Sequence, residues 1–213
     1  MEKQLTKAGQ IYLALSAAIV WLSVIAQLYL VIVNRNTPVP EALTRFFTYF
    51  TIQTNILVAT YFTVLLLKPA SGWGRFFSKP RVSTAICTYI IFVGLTYNVL
   101  LRQLWQPTGL QQVVDELLHS AIPVIFILYW LIFVPKRDLQ WKNIFIWLVY
   151  PVIYIVTVLI RGALSGYYPY PFIDVNDLGY PRVFLNGFGL IIAFLLLSSV
   201  FVAIGKLTSR TAR

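Results

Sequence analysis

Six stretches of this chain carry no charged side chain: residues 10–33, 46–67, 82–101, 117–134, 143–160 and 183–205. Each is 18 to 24 residues long, enough at ~1.5 Å of helical rise per residue to cross a hydrocarbon core of ~30 Å. Lipid offers no water to bond a backbone N–H or C=O, so each run must satisfy its own and form a helix. The expectation is an all-α polytopic membrane protein, one bundle of six transmembrane helices forming a single domain over residues 1–213. Charge agrees: only 11% of the residues are charged, against about 25% in soluble domains. The first run exceeds the ~7–15 residues of a cleavable signal core and lacks a clear small-residue cleavage site, so it reads as a span. Cys87 is the one cysteine and lies inside a span, which excludes an intrachain disulfide.

Basic residues divide unevenly between the two sides. One side collects Lys3 and Lys7, then Lys68, Arg75, Lys79 and Arg81, then Lys136, Arg137 and Lys142, then Lys206, Arg210 and Arg213. The other holds Arg35, Arg45, Arg102, Arg161 and Arg182. Of the acids, Glu2 and Asp138 lie on the first side and Glu41, Asp115, Glu116, Asp174 and Asp177 on the second. Basic residues flanking spans are retained in the cytoplasm, so both termini are expected there. The formal net charge of +10 then belongs to the cytoplasmic face. Contact with anionic headgroups accounts for it, and no nucleic-acid partner is implied.

Polar residues gather at the opposite level. Thr44, Thr48, Thr51 and Asn55 recur at intervals of four, three and four, one face of an α-helix in span two. Asn98 and Arg102 stand one turn apart where span three leaves. Asp115, Glu116 and His119 stand where span four enters, Arg161 where span five ends, and Asn186 where span six begins. By helix rise most lie within ~10 Å of the outer boundary. The cytoplasmic halves, such as "ATYFTVLLL" and "IFILYWLIFV", offer far fewer. Between spans five and six, "GALSGYYPYPFIDVNDLGYPR" (162–182) has the Tyr and Pro content of an interfacial segment. Pro123 and Pro151 fall within spans, so the carbonyls of His119 and Trp147 lose their helical partner and need a side chain or water in its place.

Ordinary explanations exist for most of these residues. Membrane threonines back-bond to their own i−4 carbonyl or join helices. Arg102 and Arg161 suit snorkelling at helix ends, and Asp115 and Glu116 suit a helix N-terminus. His119 is harder to explain in that way, because an ionisable group inside a span is costly and marks function by default. Asp115 precedes it by four residues on the same helix face. It can take the Nδ1–H, fix the tautomer and leave Nε2 free as a base.

Zinc normally needs three or four ligands, several of them His or Cys; with one histidine and a buried cysteine, no metal or cofactor is expected. Nucleophilic catalysis needs a hydroxyl in reach of the base. Ser120 adjoins His119 but points ~100° away on a helix, whereas Thr48 or Thr51 on span two stands at matching depth.

Three segments, "RFFTYFTIQTNIL", "DELLHSAIPVIFILYWLIF" and "YYPYPFIDV", together resemble the androgen-induced and ADTRP-type family of integral-membrane threonine hydrolases, in particular its bacterial branch. The resemblance implies a multi-pass membrane fold, residence in a bacterial inner (plasma) membrane and cleavage of fatty acid esters of hydroxy fatty acids by one Thr and one His. By motif these are Thr48, in "FFTYF", and His119, with Thr51 and Thr54 as competing nucleophiles. Asp115 would orient the imidazole. Asn55, Asn98, Arg102, Thr51 and Arg161 are the candidates for binding the substrate or its oxyanion. The expected partners are membrane lipids and the lipid ester. A non-catalytic lipid- or sterol-binding protein and a small transporter using His119 with Asp115 or Glu116 are the alternatives.

Overall fold

The computed structural model describes residues 6–210; Glu2, Lys3 and Arg213, weighed above in the charge distribution, lie outside the described residues. Within these bounds the chain is helical, without strands. The helices are α1 (Lys7–Val33), α2 (Val39–Thr48), α3 (Phe50–Leu67), α4 (Gly72–Phe77), α5 (Pro80–Thr96), α6 (Gly109–Glu116), α7 (Ile122–Phe133), α8 (Asn143–Ser165) and α9 (Val175–Arg210). A π turn, Tyr97–Leu101, extends α5, a second, Leu117–Ala121, joins α6 to α7, and a 3₁₀ turn, Pro171–Ile173, precedes α9. Six segments are long and apolar enough to span: Lys7–Val33, Phe50–Leu67, Pro80–Leu101, Gly109–Phe133, Asn143–Ser165 and Val175–Thr208. The chain is an all-α, multi-pass integral membrane protein. Two compact units divide it, Met1–Pro135 with four of these spans and Lys136–Arg213 with two.

Three boundaries differ from the sequence reading. The second charge-free run is not one helix: Tyr49 is extended (φ −72°, ψ 128°) and separates α2 from α3. Thr44 and Thr48 therefore sit on α2, and Thr51 and Asn55 on α3, so the stripe does not lie on one continuous face. Backbone groups released by the break find local partners: Gln53 Nε2 donates to Phe47 O, 2.9 Å, and Tyr49 N–H reaches Phe46 O, 3.4 Å. The fourth span begins at Gly109, earlier than the charge-free run, which puts Asp115 and Glu116 inside a helix. The last helix begins at Val175 but is kinked at Gly179 (φ 70°), two residues before Pro181.

In the first unit apolar side chains face both inward and outward, unlike those of a soluble helix. On α1 the exposed large side chains, Ile11, Leu15, Leu22, Ile25 and Tyr29, are a lipid-facing stripe, while Ser16, Ala17 and Ser23 are buried against the bundle. Apolar surface gains little from leaving lipid for protein, so small residues that let helices approach and hydrogen bonds between them carry the association. Trp21 Nε1 donates to Thr63 Oγ1 (3.0 Å), Tyr12 O–H to Ile125 O (2.6 Å) and Trp130 Nε1 to Thr84 Oγ1 (2.9 Å). Tyr61 and Ser83 share a hydroxyl bond of 2.8 Å. Tyr61, Phe62, Phe126 and Tyr129 pack as tilted and edge-to-face rings 5.1–5.8 Å apart for most pairs, the arrangement favoured by aromatic quadrupoles.

In the second unit the Tyr/Pro segment is ordered by its own contacts. Tyr168 lies over Gly162, Asn176 Nδ2 donates to Gly166 O (3.0 Å) and Asn186 Nδ2 to Phe172 O (2.9 Å).

Candidate functional site

The two π turns lie on neighbouring helices and hold Tyr97 and Asn98 on one side, His119 and Ser120 on the other. A π turn adds a residue to the helical ladder and is concentrated at functional sites. The α5 helix comes close enough to allow this because residue 94 is glycine: a Cβ there would sit 2.9 Å from His119 O.

His119 Nδ1 lies 2.9 Å from the Asp115 carbonyl and 3.3 Å from Asp115 Oδ1. An acceptor on that side selects the imidazole protonated at Nδ1 and leaves the Nε2 lone pair outward. Asp115 is buried, 6% exposed, and its second oxygen accepts the Tyr97 phenol O–H. Tyr97 also lays its ring flat on the imidazole, centroids 4.0 Å apart and planes 17° off parallel. One tyrosine thus touches both members of the pair. Among the described residues, no group hydrogen-bonds Nε2.

The other carboxylate turns away from this pair. Glu116 takes Arg102 through both oxygens, Nη1 to Oε1 at 2.6 Å and Nη2 to Oε2 at 2.8 Å. Ser120 Oγ donates to Glu116 Oε2 (2.8 Å) and accepts from Arg102 Nη2 (3.1 Å). Arg102 Nε donates to Asn98 Oδ1 (2.7 Å), and the guanidinium carbon lies 5.4 Å from the Tyr97 ring centroid. Hydrogen bonding to Glu116 raises the Arg102 pKa further, so the guanidinium stays charged and its charge is matched. Arg102 is a strut from α5 to the α6–α7 helix.

Pro123 explains the two asparagines. Ile122 N–H reaches back to Leu117 O, so the next carbonyl, Leu118 O, faces a proline without an N–H. Asn55 Nδ2 approaches that oxygen at 3.4 Å while also donating to Thr51 O at 2.9 Å. Asn98 Nδ2 approaches His119 O at 3.5 Å and donates to Gly94 O at 2.8 Å. The free carbonyl expected from Pro123 is therefore met by side chains. Asn55, Asn98 and Arg102, candidates for the oxyanion, all direct donors into the protein; Asn55 Oδ1, an acceptor, is buried without a partner.

The threonines are less engaged with the base. Thr48 is 8% exposed and donates its hydroxyl to Thr44 O, 2.7 Å. Thr51 is buried on α3, and Thr54 Oγ1 is buried without a hydrogen bond. Among the described residues no hydrogen bond links a threonine hydroxyl to the imidazole. Arg161 belongs to the second unit, its guanidinium carbon 5.3 Å from the Tyr167 ring centroid.

Sequence reasoning missed Tyr97 and the Glu116–Ser120–Arg102 network. Ser120 points away from the imidazole face, and that direction takes its hydroxyl to Glu116. The available signal for Tyr97 was its place beside Asn98, at the depth of the other polar groups.

The fold and these contacts define an integral membrane protein with an ionisable cluster inside one end of a four-span unit. No protein-family model, no curated protein and no solved structure matches the chain.

Proposed function

We propose that the protein is an intramembrane lipid ester hydrolase in which His119 is the general base. The observation that carries this is the imidazole held at Nδ1 by the Asp115 main-chain carbonyl, with the Asp115 carboxylate 3.3 Å away and bonded by Tyr97, and with Nε2 unengaged. A buried carboxylate so placed also stabilises the imidazolium that forms when the base takes a proton. The resemblance to ADTRP-type threonine hydrolases supports the same reading.

Thr48 is the nucleophile in this proposal, with Thr51 and Thr54 as the alternatives. Its hydroxyl leaves Thr44 O and gives its proton to Nε2 as Oγ attacks the ester carbonyl carbon. The imidazolium then protonates the departing alkoxide, the C–O ester bond breaks, and an acyl-threonine remains. Water attacks that acyl carbon with His119 again accepting the proton, the acyl C–Oγ bond breaks, the imidazolium returns the proton to Thr48 Oγ, and carboxylic acid and the Thr48 hydroxyl result. The substrate is a membrane lipid ester with its acyl chain among the helices. The protein would reside in a bacterial inner membrane with both termini cytoplasmic, as the uneven distribution of basic residues supports. A fluorophosphonate probe is expected to label the detergent-solubilised wild type and to fail on Thr48→Ala and His119→Ala. Labelling that persists in both variants rejects the assignment.

A second reading is a lipid-binding protein without turnover. The Thr48 O–H bond to Thr44 O favours it, because that is the ordinary resting state of a structural threonine in lipid. Co-purified lipid, no ester turnover by wild type and unchanged lipid retention in His119→Ala would select it.

A further inference from the structure

The segment between α3 and α5 concentrates positive charge. Lys68, Arg75, Lys79 and Arg81 are all exposed, and no acidic residue occurs between Glu41 and Asp115. Among the described residues none of the four joins an ion pair. Arg75 Nη1 donates to Ala70 O (2.6 Å), and Lys79 Nζ lies 5.9 Å from the Phe76 ring centroid.

The α4 helix is fixed on its inner side. Phe77 is buried, edge-on to Tyr61 with centroids 5.6 Å apart, and its carbonyl accepts from Ser83 Oγ at 3.0 Å. Gly74 rests on the preceding turn so closely that a Cβ would lie 2.1 Å from Pro69 O and 2.3 Å from Lys68 O. Ser71 Oγ accepts from Gly74 N–H (3.0 Å), and Ser78 Oγ donates to Gly74 O (2.8 Å). With that side held, Trp73 and Phe76 turn outward, 67% and 44% exposed, their rings edge to face at 6.1 Å.

The flanking spans end at Leu67 and begin at Pro80, so α4 lies at the membrane boundary. Amphipathic aromatic rings settle at headgroup depth, and cations beside them reach lipid phosphates. Topology requires only that the loop carry cations. It does not require a pinned helix that sets two large rings among them.

We infer that α4 and its flanks form a binding site for anionic phospholipid headgroups. Trp73 and Phe76 seat at the glycerol level, and Lys68, Arg75, Lys79 and Arg81 take the phosphodiester charge. A zwitterionic headgroup brings its own ammonium, which four cations without neighbouring carboxylates repel. The inference stands apart from the role of His119.

Native mass spectrometry of the purified full chain tests it, with phosphatidylglycerol and phosphatidylcholine of identical acyl chains as probes. Wild type is expected to retain the anionic lipid about tenfold better. Arg75→Gln with Lys79→Gln should bring the two lipids near parity, and Lys68→Gln with Arg81→Gln is an independent pair for the same test. Trp73→Ala with Phe76→Ala should weaken both lipids and keep the preference. Arg137→Gln with Lys142→Gln, the same charge change on another loop, should leave it intact. Equal retention of the two lipids by wild type overturns the proposal. So does an equal loss of preference in the Arg137/Lys142 pair, which would assign the effect to charge spread over the whole face.

Discussion

The first unit is built differently at its two ends. Toward α4 the helices are regular and meet through Tyr61, Phe62, Phe126 and Tyr129. Toward the other end the backbone departs from the α ladder three times, at Tyr49 and at the two π turns, and the helices meet through Asp115, Arg102, Glu116 and the asparagines. Lipid sets the difference. Rings packed on rings leave few polar atoms to satisfy, and the Tyr61 hydroxyl is met by a side chain, Ser83, so the backbone keeps its ladder. Groups such as an aspartate and an imidazole at this depth need partners in fixed directions, and the ladder yields to supply them. Regularity here is a property of the apolar end, and irregularity marks the end where chemistry is possible.

The comparison can be broken most decisively at His119. His119→Ala is expected to lower ester turnover by about 10²- to 10⁴-fold, the scale of a lost general base. Turnover in nanodiscs at equal folded protein checks this, and unchanged turnover would remove the catalytic claim for the irregular end. At the regular end, Phe126→Ala should cost about 3 kcal/mol of stability, read by reversible unfolding in mixed micelles. Probe labelling per folded molecule should stay the same; a parallel loss of labelling would show that the two ends are not separable.

Tyr97→Phe sharpens the contrast further. It deletes the O–H held by Asp115 and keeps the ring on the imidazole, and a lost bond to a buried carboxylate predicts roughly tenfold lower turnover. If Phe behaves as wild type and Ala does not, stacking matters and the hydrogen bond does not. The smallest effect belongs to Glu116→Gln. The Arg102–Glu116 side chains are 42% and 43% exposed, and solvent screens such a pair, so its loss should barely move the melting temperature. A large melting shift would mean the strut bears on the whole irregular end.

Much of this fold is legible in the chain because lipid leaves so few solutions: six apolar runs had to supply six helical spans. The nearness of Asp115 to His119 was legible too, since it depends on an interval of four within one helix; that Nδ1 bonds the main-chain carbonyl at 2.9 Å, with the carboxylate at 3.3 Å, was not. What escaped depends on other things. The Tyr49 break has no Gly or Pro to announce it and is held by Gln53 reaching back to Phe47 O. A π turn changes no composition, and only the lone Pro123 hinted that carbonyls near it would need outside donors. That these donors are Asn55 and Asn98 requires knowing which helices adjoin. The same holds for Tyr97, an aromatic among many in membrane spans until α5 is set beside the α6–α7 helix. Nothing in the composition around Trp130 says that it is fully buried with its indole N–H bonded to Thr84.

The tyrosine ring over the imidazole has a practical consequence. His119 is the one histidine in the chain, so isotope-labelled histidine gives a magnetic-resonance spectrum with a single residue in it. A flat aromatic ring 4.0 Å away shields the imidazole protons and moves their signals upfield. That one displaced resonance would report, in any detergent or nanodisc, whether the cluster has assembled.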